Sequence, residues 1–240
     1  MWLRVAGLVA AIALSAPAQR PTFEVASVKP GNPQTGMLRS LITPGNFRAE
    51  NATLRTLLED AYQLKPFQLT GGPRWLDQDR FEIIAKAGPA ATADQVRLMV
   101  QTLLEDRFRL VLRRETREQT ISYLTVKGQP KVTPSKEGVR EMFTTIAQRE
   151  GTVNHVSFKA TSMPRFADML SRELRHMVTD RTGLNGNFDF EFDTTRDENA
   201  VNMFFAPWAP SLGQIGLKLE TGKGPVEFFA IERAEKPSGN

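Results

Sequence analysis

The sequence predicts an α+β fold made of two related halves, each running hairpin, helix, strand, helix, hairpin around antiparallel sheet. Three observations carry this. Leu41-Ile42-Thr43 and Asn46-Phe47-Arg48-Ala49-Glu50 are β-rich runs on either side of a Pro44-Gly45 turn signal. Thr92-Ala93-Asp94-Gln95 is a capping box, followed by an apolar stripe of Val96, Met99, Val100, Leu103 and Leu104 at helical spacing. Beyond a polar connector at residues 129–138 the same order of elements starts again.

Taken in order, Thr22 to Lys29 is a β-rich run stopped by Pro30 and Gly31, and the Pro44-Gly45 hairpin follows. Thr53 caps a helix whose Leu54, Leu57, Leu58, Ala61 and Tyr62 share one face, with Pro66 as its expected end. Gly71-Gly72-Pro73 signals a turn into a strand at Arg80–Lys86, with Phe81, Ile83 and Ala85 on one side. After the Thr92 helix, the alternation from Phe108 to Arg113 predicts a half-buried strand folding back on Ile121–Val126.

In the second half, Met142–Ala147, a turn at Arg149-Glu150-Gly151 and Val153–Lys159 predict a hairpin. Ser162 then caps a helix with Met163, Phe166, Leu170 and Leu174 inward. Setting Met163 against Leu54 places Phe166 on Leu57 and Leu170 on Ala61, so the apolar stripes superpose. Gly183 to Gly186 turns the chain into Phe188–Asp193. Pro207 and Pro210 confine any second helix to Ser211–Ile215. Leu217–Ile231, with Gly222-Lys223-Gly224-Pro225 at its centre, predicts the closing hairpin. The expected division is 1–18 signal peptide, 19–134 first half and 135–240 second half.

The division at residue 18 rests on Met1-Trp2-Leu3-Arg4 as a basic start, an apolar run from Val5 to Leu14, and a small-residue site at Ala16-Pro17-Ala18. An apolar run of about ten residues falls short of the roughly 20 that cross a bilayer. The expectation is cleavage after Ala18, an address in the periplasm or outside the cell, and no membrane span after processing. The chain has no cysteine, so neither lipidation at that site nor disulfides are available, and the fold must rest on its core. About 220 remaining residues suffice for one.

Charge excludes one class of partner at this level. The formal net charge is +4, with 31 basic and 27 acidic residues. The densest basic stretch, Arg107, Arg109, Arg113, Arg114 and Arg117, is interleaved with Glu105, Asp106, Glu115 and Glu118, which predicts an ion-paired face and no nucleic-acid groove.

Catalytic and metal chemistry find few residues to work with. There are two histidines, His155 and His176, and no His-Glu-x-x-His pair, so zinc catalysis is not expected; His176 follows a helix and is placed to meet its terminal carbonyls. Asp189, Glu191 and Asp193 share a strand face that could attract calcium, without the loop spacing of a calcium hand. No Gly-x-Ser-x-Gly elbow is found, and the two histidines leave a Ser-His-Asp arrangement open by count alone. Gly31 to Gly36 lacks the Lys-Ser/Thr of a phosphate loop. Trp75 and Trp208 could stack on a ligand or plug a core edge. No cofactor is expected.

Several long segments carry a resemblance: Phe23-Glu24-Val25-Ala26-Ser27-Val28-Lys29-Pro30, Leu69 to Asp77, Asp106-Arg107-Phe108-Arg109-Leu110, Thr179 to Phe190, and Gly216 to Glu220 through Glu235-Lys236-Pro237-Ser238. Together they resemble the soil-associated protein family of unknown function. Some of its members look like extracytoplasmic extensions of membrane metallopeptidases of the beta-lactam-sensor type. The unit from Met163 to Asp193 also looks like the short N-terminal signalling domains of secretins and outer-membrane receptors, which implies protein interaction. Pro207-Trp208-Ala209-Pro210 departs from the longer helix expected before Gly216.

The expected function is therefore a non-catalytic binding or interaction module of the cell envelope, its partner an envelope protein or cell-wall component. An envelope hydrolase acting on peptide or glycan and a structural envelope protein are the alternatives. The expected contact surface lies between the halves, formed by Gly71, Gly72, Arg74 and Trp75 in the first and Asp180, Arg181, Thr182 and Gly183 in the second. These occupy corresponding places before the Phe81 and Phe188 strands. Simple turn-making is the competing reading for the glycines.

Overall fold

A computed structural model describes residues 20–32, 38–147, 153–195 and 207–238. The predicted signal peptide and the turn at Arg149–Gly151 lie outside the described residues. Among the described residues, three four-stranded sheets and four α-helices make up an α+β fold. No helix among the described residues is long and apolar enough to cross a membrane.

The first sheet contains β1 (Val25–Pro30), β2 (Arg39–Thr43), β3 (Asn46–Ala52) and β5 (Phe81–Lys86), in the order β1-β5-β3-β2. The hairpin of β2 and β3 turns at Pro44-Gly45 as predicted. In β5 the alternation buries Phe81, Ile83 and Ala85, while Ile84 on the opposite face is 54% exposed. The covered face meets α1 (Leu54–Ala61) and α3 (Ala93–Arg107). Both start as the sequence predicts: Thr53 Oγ1 accepts from Thr56 N at 3.2 Å, and Thr92 and Gln95 cap each other at 3.3 and 2.8 Å.

The end of α1 departs from expectation. Pro66 does not terminate it; the helix stops at Ala61, because Gln63 takes a left-handed conformation (φ 54°) and Leu64 N donates back to Glu59 O at 2.8 Å. That six-to-one bond satisfies a terminal carbonyl and turns the chain away. Pro66 instead opens a 3-10 segment, Pro66–Gln68, leading into β4 (Leu69–Gly71). The short helix α2 (Trp75–Gln78) precedes β5.

The second sheet repeats the same strand order with later elements. It holds β7 (Thr133–Pro134), β8 (Met142–Ala147), β9 (Val153–Ser162) and β11 (Asn187–Thr195), ordered β7-β11-β9-β8. In each of the two sheets, the strand after the hairpin-helix unit inserts between the hairpin and the strand preceding it. Against the second sheet lie α4 (Met163–Leu174), capped by Ser162, and a 3-10 segment at Ala209–Ile215, which starts before the expected Ser211 because Pro210 is accommodated in its first turn, where a missing N–H costs nothing. Phe158, fully buried, stacks on Phe190 at 4.7 Å and meets Phe166 edge-on at 5.0 Å.

The closing hairpins predicted within Phe108–Val126 and Leu217–Ile231 do not form. Those stretches are two continuous strands, β6 (Val111–Val126) and β12 (Leu217–Arg233), which pair antiparallel with each other along their length. The apparent turn at Gly222 to Pro225 serves another purpose. A Cβ on Gly222 would lie 2.5 Å from Tyr123 Cε2, and one on Gly224 would lie 2.7 Å from Ile121 Cδ1, so both glycines clear space for side chains of the partner strand. Ion pairs from Arg113 to Glu232 (2.7 Å) and Arg114 to Glu227 (3.7 Å) cross the ribbon.

Each end of this ribbon is extended by one short parallel strand. β4 pairs with β12 at Phe229–Ile231, and β10 (Val178–Asp180) pairs with β6 at Ser122–Leu124. The ribbon thereby exchanges apolar side chains: Phe229 and Ile231 enter the core over the first sheet, and Leu124 enters the core over the second.

Candidate functional site

The two groups of residues expected to form one surface are placed at opposite ends of the ribbon. Gly71 faces Ile231, whereas Asp180 faces Leu124, whose own partner on β12 is Leu219. Twelve positions of β12, from Leu219 to Ile231, separate them, roughly 40 Å at the strand rise. Within each group local duties are evident. Gly72 has φ 82°, and a Cβ there would lie 2.1 Å from Leu76 Cδ1. Gly71 is also left-handed, at φ 75°. Arg74 is exposed at the start of α2, its carbonyl accepting from Asp77 N at 3.2 Å. Trp75 packs edge-on against Phe81 at 6.3 Å, with Lys236 Nζ 5.9 Å from its ring centre.

At the other end, Asp180 Oδ1 accepts from Thr182 N (2.9 Å) and Thr182 Oγ1 (2.8 Å), an Asx turn continued by Leu184 N donating to Thr182 Oγ1. Gly183 follows with φ 70°. The Arg181 guanidinium lies 3.4 Å from the Tyr123 ring centre.

A concave site does exist, built from residues that the sequence pattern does not mark as a site. A cleft of about 500 Å³ is lined by Pro66 and Phe67 from the 3-10 segment, by Arg172, Glu173, Leu174 and Arg175 from the end of α4, and by Pro207. Its walls are fixed from several sides. Gln68 accepts from Lys65 N at 3.0 Å and donates to Glu227 O at 2.9 Å, tying the 3-10 segment to the ribbon. On the α4 side, buried Ser171 accepts from Val178 N at 2.8 Å, and Arg175 ends the helix in a left-handed conformation (φ 55°).

Glu173 is the unusual group. One carboxylate oxygen accepts from Trp208 N at 2.6 Å; the other, Oε2, is buried and has no hydrogen-bond partner among the described residues. Burial pushes its pKa up to about 7, and the Trp208 N–H offsets this only in part. Trp208 itself packs its ring among Phe158, Phe166 and Phe192, which is a core role and not a free stacking platform.

The other candidates are engaged in structure. His176 Nδ1 lies 3.3 Å from Leu174 O, as expected of a histidine after a helix, and Nε2 lies 2.8 Å from Ser122 Oγ. The place that a carboxylate holds in a catalytic triad is thus taken by a backbone carbonyl, and Ser122 is buried between β10 and β12. Asp189 accepts from Ser135 Oγ and from Ala160 N (3.0 Å), and lies 3.3 Å from Lys159 Nζ. These bonds hold its carboxyl below the usual range. Asp193 and Glu191 face His155 at 2.9 and 3.5 Å, and the Asp193 hydrogen bond raises the imidazole's pKa. Among the described residues no group of three or more His, Cys, Asp or Glu side chains could hold a metal ion. The arginine stretch is ion-paired: Arg113 and Arg117 both meet Glu115.

Fold and site together define an α+β protein in which two sheet-and-helix layers are joined by a long shared ribbon and flank a small cleft. The chain belongs to the protein family of unknown function DUF3738, whose profile matches residues 55–234, from α1 through the end of β12. No curated protein and no solved structure matches it significantly.

Proposed function

We propose that this is an exported, non-catalytic binding module of the cell envelope, built from two halves of common descent, and that its ligand or partner occupies the cleft beside α4. The observation that carries the reading is the cleft itself, of about 500 Å³, with Pro66, Phe67, Leu174 and Pro207 as apolar walls and the Arg175 cation beside them. The cleft lies between the first half, through Phe67, and the second, through Leu174 and Arg175. Matching strand order in the two sheets supports the duplication. The Ala16-Pro17-Ala18 site supports export, and an envelope protein or cell-wall component remains the partner class.

The hydrolase alternative has one observation in its favour, the Ser122–His176 pair, and burial of Ser122 in the sheet weighs against it. The test is to titrate cell-wall peptides, glycan fragments and envelope proteins against the wild type and Phe67→Ser, after checking that both melt alike. Selective loss of binding in the variant supports the cleft. Equal binding, or turnover of a peptide or glycan by the wild type, overturns the reading.

A further inference from the structure

We propose that β8 is a self-association edge, at which two copies of the chain pair antiparallel about a two-fold axis at Thr144 and join their second sheets into one. Among the described residues, the outermost strands of five residues or more are β1, β2 and β8. β1 carries Lys29 and Pro30 and β2 carries Arg39, the usual protections of an exposed edge. The open stretches of the ribbon carry Arg113, Arg117 and Glu118. β8, by contrast, is Met-Phe-Thr-Thr-Ile-Ala, without charge, proline or glycine. Its backbone pairs with β9 on one side only, and Met142 and Ile146 are 56% and 58% exposed. A neutral run of high β propensity with an open row of N–H and C=O groups is a template for one more strand.

The occupant is a second copy because the strand complements itself. A two-fold axis normal to an antiparallel pair sets one residue opposite its own mate and keeps each face of the sheet on one side. Centred on Thr144, this places Met142 against the partner's Ile146, Thr144 against the partner's Thr144 and Phe143 against the partner's Thr145. Apolar meets apolar, hydroxyl meets hydroxyl and aromatic meets β-branched, all favourable cross-strand pairs. Charge permits the contact as well. Two copies carry identical charges, so those flanking a self-pairing edge must be neutralised within each copy. Glu141 meets Arg165 at 2.9 Å, Lys159 meets Asp189 at 3.3 Å and His155 meets Asp193 at 2.9 Å. A pairing over residues 142–146 covers less than the roughly 1,600 Å² of a standard interface, so the dimer is weak, with Kd on the order of 100 µM.

Sedimentation equilibrium of the protein at concentrations up to about 1 mM tests the pairing. The wild type is expected to show a monomer–dimer equilibrium. Met142→Glu and Ile146→Lys, both at exposed positions, should each weaken it about tenfold with the melt unchanged. Combining them should recover most of the loss, because each carboxylate then faces an ammonium across the axis. Within one copy the two positions lie roughly 14 Å apart along the strand, so recovery reports pairing between copies. Thr144→Lys, which sets two ammonium groups opposite each other, should abolish the dimer and tests the axis independently of the other two. A wild type that stays monomeric at about 1 mM, a dimer that the single substitutions leave unchanged, or a double variant no tighter than the singles overturns the proposal.

Discussion

Lys65 Nζ lies 2.9 Å from Asp168 Oδ1, joining the turn after α1 to the middle of α4. The lysine side chain is only 13% exposed, and Asp168 also meets Arg165 at 3.3 Å. Burial pushes the Asp168 carboxyl up, but the Lys65 bond and charge, with Arg172, hold it below its ordinary 3.8.

For Asp168→Asn the expected cost at neutral pH is about 1 kcal/mol, after allowing for solvent screening of a partly exposed pair. A depressed folded pKa contributes stability above the unfolded value and loses it as pH falls through the folded one. The gap between variant and wild type should therefore narrow as pH falls below the ordinary 3.8. Urea titrations across pH measure it.

Glu173 carries the opposite sign. Its folded pKa of about 7 exceeds its ordinary 4.5, so between those values the folded state holds a proton that the unfolded state has released. Stability from this group is complete below pH 4.5 and is lost as pH rises through 7. Glu173→Gln should match the wild type near pH 4.5 and exceed it at pH 8 by on the order of 1 kcal/mol, since the side chain is partly exposed. Thermal melts at the two pH values decide it.

Gln63 is exposed and left-handed at the end of α1. Gln63→Gly should stabilise the protein by about 1 kcal/mol, because glycine takes this backbone conformation without the Cβ clash. An unchanged denaturation midpoint would show that the Leu64–Glu59 closure does not depend on it.

A fragment of residues 20–134, the expected first half, should give no cooperative melt, because its core lacks Phe229 and Ile231. In the full chain, Phe229→Ala should cost about 3–5 kcal/mol, as its ring is 3% exposed. Circular dichroism on heating reads both.

The parts of the fold legible in sequence are those decided within a few residues. The Thr92 capping box, the Pro44-Gly45 hairpin and the alternation of Phe81, Ile83 and Ala85 each declare themselves locally. The ribbon does not. A long strand containing glycines and a hairpin look alike over residues 217–231, and only Tyr123 and Ile121, about 100 positions away, show why Gly222 and Gly224 are there. β4 and β10 escape notice because three residues carry no periodicity. The cleft is least legible: Glu173 reads as an ordinary polar position between Arg172 and Leu174 until Trp208 N and the 3-10 segment are brought against that end of α4.

The ribbon also imposes an order of events on synthesis. Leu69 finds its strand partner at Phe229, so the first core stays open until residues some 160 positions later have emerged. Contacts of such separation slow folding, since loop closure costs entropy before any packing repays it. The first core therefore cannot complete its packing until all but the last few residues of the chain have been made.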